Sequence, residues 1–138
     1  KDSFALPAFL VDIRLFYGPA WLMFSWIPVA ITGFTDVLTT LLGLKIFNLV
    51  LLFAGALVIA RYQSDRRAAW IAGVLFLANP VVLFEGVANA HNDVMMTTFL
   101  IGAFFALRQR SPLAGPLLAL SALVKFNPLV LAPLMVAA

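Results

Sequence analysis

The densest polar cluster in the sequence is Asn89-Ala90-His91-Asn92-Asp93, set between two apolar runs. A helix that begins at its end would leave spare N–H donors beside amide, imidazole and carboxylate groups, a combination suited to sugar hydroxyls or a phosphate. Asn92 or Asp93 is also a good N-cap, and Asp93 suits the positive end of a helix dipole. Capping explains one of these residues and leaves Asn89 and His91 without a structural role. Glu85 stands near the end of the preceding apolar run, where a negative charge is mildly unfavourable. The spacing of Glu85, His91 and Asp93 matches no known metal-ligand motif, so no metal site is assigned.

A second group lies at Lys125-Phe126-Asn127-Pro128, a lone lysine between two apolar halves with a proline after it. Such a lysine either snorkels to a membrane interface or offers a point charge to a lipid phosphate. Lys45 is the other lysine embedded in apolar sequence. Asn79-Pro80 interrupts a third apolar run; proline removes a helical hydrogen bond, and the asparagine side chain can refill the vacancy. Tyr17-Gly18-Pro19-Ala20-Trp21 is an aromatic-rich break with a bland use as an interfacial anchor. Just upstream, Asp12 and Arg14 are placed to pair with each other.

The elements that must position these groups are apolar. Of 138 residues, 64% are hydrophobic and 11% charged, with a mean hydropathy of +1.06. A soluble domain carries about 25% charged residues, so there is too little polar surface here to coat a globule. Cysteine is absent, which excludes disulfides and thiolate metal sites. The net charge of +3 does not indicate nucleic acid, because the basic residues are scattered or lie in short clusters between apolar runs.

Reading from charge to charge gives an all-α, polytopic transmembrane bundle with short, proline-broken helices. Asp36 caps a helix over 37–60; further apolar units cover 68–84, 94–107, 111–124 and 126–138. Several fall short of the roughly 20 residues that cross a bilayer core. The Gly18-Pro19 start and the Pro28 break favour an interfacial or re-entrant helix at about 20–33 over a full span. Arg61, Arg66 and Arg67 in one loop, and Arg108 and Arg110 in another, mark the cytoplasmic side. The basic-free stretch 85–93 is then expected outside, with Lys125 beside it and Lys45 at the outer end of helix 37–60. The chain opens on Lys1 and stops at Ala138 inside an apolar run. Residues 1–138 are therefore expected to be one partial membrane domain, with an N-terminal span, its first outer loop and C-terminal spans lying elsewhere.

In order, Tyr17-Gly18-Pro19, Lys45-Ile46-Phe47-Asn48, Asn79-Pro80 with Glu85, Asn89-Ala90-His91-Asn92-Asp93 and Leu123-Val124-Lys125-Phe126-Asn127-Pro128 resemble the GT-C superfamily of integral-membrane glycosyltransferases. They are most similar to the polyprenol-phosphate-mannose-dependent mannosyltransferases of bacteria and archaea, including the α-1,6-mannopyranosyltransferases. His91-Asn92-Asp93 before Val94-Met95-Met96 is the most specific part. The resemblance implies transfer of a hexose, mannose by analogy, from a polyprenyl-phosphate donor to a lipid-linked or glycan acceptor. The site would face outward from the plasma membrane, among membrane lipids. The principal catalytic aspartate would lie upstream; Asp12 is a weak candidate within the chain. Lys125, then Lys45, would hold the lipid phosphate; Tyr17, Glu85, Asn89, His91, Asn92 and Asp93 would bind substrate. No cofactor or metal is expected, since fixed lysines can stabilise a phosphate leaving group. The other reading is a transporter or lipid flippase fragment, in which broken helices also mark a site.

Overall fold

The computed structural model describes residues 17–33 and 36–133, so Asp12 lies outside the described residues. Every regular element among them is helical. The helices are α1 (Pro19–Thr32), α2 (Val37–Arg61), α3 (Arg66–Leu77), α4 (Asp93–Arg108) and α5 (Ala114–Val124). A π-helical segment, Val82–Ala88, follows α3, and a 3₁₀ turn, Asn127–Leu131, follows α5.

The boundaries have local causes. Pro19 opens α1, where its missing N–H would have had no partner. Asp36 caps α2 by accepting from the Thr39 N–H at 2.8 Å, as expected from the sequence, and Asp65 caps α3 through Ala68 at 2.8 Å. Pro28, by contrast, does not break α1: the helix runs through it for 14 residues and ends at Gly33, whose φ of 69° is left-handed. A 14-residue helix is about 21 Å long, short of a bilayer core.

α2, at 25 residues, is the one described helix long and apolar enough to cross a membrane alone. The unit expected at 68–84 is divided. α3 stops at Leu77, and the π-helical segment leaves it at an angle of 59°. Asn79 makes the break tolerable, because its Oδ1 accepts from the Val81 and Val82 N–H groups at 3.0 and 3.4 Å. Pro80 supplies no N–H there.

Small residues and side-chain hydroxyls hold the bundle together. Gly55 of α2 sits against Phe76 and Thr98, where an added Cβ would lie 3.1–3.2 Å from both side chains. Thr98 donates to the Leu51 carbonyl at 3.1 Å, and Ser121 of α5 donates to Met96 of α4 at 2.8 Å. Leu52, Met95, Ala103 and Val124 are fully buried. Outside this narrow core the surface is apolar: Ile31, Leu38, Leu57, Leu75 and Val130 are all exposed.

The two arginine-bearing connections meet at one end. Tyr62 stacks on Phe105 with ring centroids 4.3 Å apart, and Arg61 and Gln109 line the same groove. The polar stretch 85–93 lies away from that end, but not at the tip of α2. It packs against Asn48, the midpoint of α2, so the first eleven residues of that helix extend past it by about 16 Å. Lys45 is the ninth residue of α2, one turn before Asn48. The site is recessed beside the helix because α4 and α5, at 16 and 11 residues, are shorter than their neighbour.

Candidate functional site

The start of α4 meets the end of α5 here. At a helix C-terminus the last carbonyls have no partner within the helix. The Val124 carbonyl, one of these, receives two: the Gly18 N–H at 3.0 Å and the Asn92 side-chain amide at 3.4 Å. Asn92 is 2% exposed and occupies the N-cap position of α4, one of the two residues expected there, but its side chain makes no capping hydrogen bond. A carbonyl buried at a helix end outcompetes the local cap. Gly18 is required at its position, since any Cβ would collide with the Leu123 carbonyl. Tyr17 thereby stands beside the end of α5, with its ring 6.4 Å from that of Trp21.

The chain leaves α5 in an extended conformation at Lys125, which turns the side chain back toward α4. Its Nζ lies 2.7 Å from Asp93 Oδ1, with the two side chains 35% and 40% exposed. Lys125 is thus not an isolated point charge but one half of an ion pair. Asp93, in the first turn of α4, also faces the positive end of that helix.

Glu85 and His91 form the second half of the site. Glu85 belongs to the π-helical segment, and its Oε2 accepts from Asn89 Nδ2 at 3.2 Å and lies 3.1 Å from His91 Nδ1. The latter contact is an ion pair only when His91 is protonated. The backbone repeats the closure: His91 N–H donates to the Glu85 carbonyl at 3.1 Å, and Asn89 N–H to Phe84 at 2.9 Å. Ala90 completes the turn at a φ of 54°. A cavity of about 260 Å³ opens between the π-helical segment and α4, with Glu85 and Asp93 on its wall beside Phe76, Val94 and Thr97.

Glu85, Asn89, His91, Asn92 and Asp93, close in sequence, are therefore gathered in one region with Lys125 and Tyr17, which come from distant parts of the chain. Their roles divide. Asn92 is structural, whereas Glu85, His91, Asp93 and Lys125 keep exposed polar atoms. Lys45 makes no ion pair among the described residues. No three acidic or histidine side chains converge to hold a metal among those residues either. Sequence reasoning missed the part played by Asn48. This asparagine is fully buried in α2, and its Nδ2 donates to the Gly86 carbonyl at 2.7 Å and the His91 carbonyl at 2.8 Å. Its signal was a lone amide inside an apolar helix.

Two carboxylates, an imidazole, amides and a lysine thus stand together over an apolar helical scaffold. Residues 13–138 match the family described as alpha-(1→6)-mannopyranosyltransferase, N-terminal domain, and the chain belongs to that family. It is a domain of a mannosyl-transferring glycosyltransferase. No curated protein and no solved structure matches the chain.

Proposed function

We propose that this domain is part of a multi-span membrane enzyme that transfers mannose from a polyprenyl-phosphate donor to a lipid-linked or glycan acceptor on the extracytoplasmic face. The observation that carries this reading is the Lys125–Asp93 pair, recessed at the end of a short helix beside sugar-binding chemistry and surrounded by apolar surface. A polyprenyl chain can lie along that apolar surface while its phosphate reaches the lysine.

A carboxylate takes the proton of the acceptor hydroxyl as its oxygen attacks the anomeric carbon of mannose. The glycosidic C–O bond to phosphate breaks, and the polyprenyl phosphate leaves with the bonding electrons. Lys125 stabilises the charge that grows on the phosphate, with Lys45 as a second cation. Glu85, Asn89, His91 and Asp93 hold sugar hydroxyls. The base belongs to the region upstream, where Asp12 is the candidate within this chain. The arginine-bearing end faces the cytoplasm, following the distribution of Lys and Arg in short loops.

Donor choice separates this reading from enzymes that use soluble sugar nucleotides. The full-length protein carrying this domain, in proteoliposomes, is expected to transfer labelled mannose from polyprenyl-phosphate mannose and not from a nucleotide-linked mannose. Transfer from the nucleotide alone would reject the lipid donor.

A further inference from the structure

Among the groups that hold the site, one buried polar side chain is not explained by packing. Asn48 is fully buried at the midpoint of an apolar helix, where leucine would pack without any polar atom to satisfy. Its Oδ1 has no hydrogen-bond partner among the described residues. An unsatisfied buried acceptor is unfavourable by about 1–3 kcal/mol, so the residue is retained for what its nitrogen does. Both neighbours of Nδ2 are carbonyl oxygens, which only the NH₂ end of the amide can serve.

Those carbonyls belong to Gly86 and His91, the residues on either side of the turn that carries Asn89 and Ala90. Glu85 is joined to His91 on the outer side of the same turn, by the side-chain contact at 3.1 Å and the backbone hydrogen bond at 3.1 Å. Asn48 therefore closes the turn from behind, while Glu85, on its other side, lies on the cavity wall. The effect extends to the second half of the site, because His91 leads within two residues to Asp93 and hence to Lys125. Gly86 cannot slide away toward α4, since it sits directly against the Val94 side chain.

We infer that Asn48 is the positioning residue of the transfer site: one amide from α2 sets the spacing between the Glu85–His91 pair and the Asp93–Lys125 pair. This rests on the proposed transferase reading, and it predicts a defect in turnover rather than in folding. A displacement of about 1 Å at a reacting centre can lower a rate by roughly 100-fold.

The test uses Asn48→Leu and Asn48→Asp in the full-length protein. Leucine removes both hydrogen bonds and the orphaned Oδ1, leaving the Gly86 and His91 carbonyls without their donor from α2. An ionised aspartate has nearly the same shape but no N–H to donate. In both, backbone hydrogen exchange at 86–91 is expected to speed up while α2, α4 and α5 keep their protection. The kcat for mannosyl transfer is expected to fall at least tenfold, with donor KM changed by less than about threefold. Unchanged exchange at 86–91 overturns the clamp. Loss of protection throughout α2, α4 and α5 in both variants also overturns it, by making Asn48 a general core residue. Faster exchange at 86–91 with kcat intact shows that the turn is held but does not set the rate, and removes the positioning role. If the wild type transfers no mannose, the exchange data still decide whether Asn48 holds the turn, and it is the transferase reading that fails.

Discussion

Lys125→Met is expected to lower the rate of mannosyl transfer by about 10²–10³-fold, the usual cost of losing one preorganised group that stabilises transition-state charge, while leaving thermal stability nearly unchanged. The second half of that expectation comes from exposure. With the two side chains 35% and 40% exposed, the Lys125–Asp93 pair is screened by solvent, and ion pairs of that kind contribute about 0–1 kcal/mol to stability. Methionine preserves much of the apolar stem of Lys125, so packing against α5 is retained. Asp93→Asn should be milder, because Lys125 keeps its charge and loses only the group that orients it. Exchanging the two residues restores an ion pair but sets the charges in the wrong places, and activity should stay low. Measuring initial rates and melting temperatures for the four proteins decides the matter. If the exchanged double variant regains wild-type activity, the pair is structural and Lys125 is not the phosphate contact.

Glu85→Ala is expected to raise the donor KM by about 10–100-fold, the range set by losing charged hydrogen bonds of roughly 1.5–3 kcal/mol. Glu85 is the shared partner of Asn89 and His91 through one oxygen, so its removal frees both side chains at once. It also lies on the cavity wall beside Asp93. Glu85→Gln keeps one carbonyl oxygen and should recover part of the affinity. Steady-state kinetics with varied donor would show this ordering, wild type below Gln and Gln below Ala in KM. Equal KM values in all three would remove Glu85 from the site and leave it as a brace of the turn.

Much of this arrangement was legible in the sequence where the cause is local. Asp36 before an apolar run is a cap, and Asn79-Pro80 is a break with its own replacement acceptor; both form as expected. The clustering of Glu85, His91, Asp93 and Lys125 followed from counting charges between apolar runs. What could not be read depends on register between helices. The length of α2 does not say which of its residues lies level with the polar turn; that residue is Asn48. Local preference also misled at Asn92: capping is its commonest use, but the buried Val124 carbonyl takes its amide instead. Pro28 shows the reverse error, an apparent breaker carried inside a continuous helix. Asn48 was visible as a residue, but its two carbonyl partners lie 38 and 43 residues away in sequence, and no local rule connects them.

The most direct test of where the donor binds is photolabelling. A polyprenyl-phosphate mannose with a photoreactive group on the sugar would be incubated with the full-length protein in proteoliposomes, irradiated, and its attachment sites mapped by mass spectrometry. Labels are expected on residues 85–97 and on Lys125 or its neighbours, and unlabelled donor should compete them away. Competable labels concentrated instead at the arginine-bearing end, around Arg61–Arg67 and Gln109, would contradict the placement of the transfer site at the Lys125–Asp93 pair.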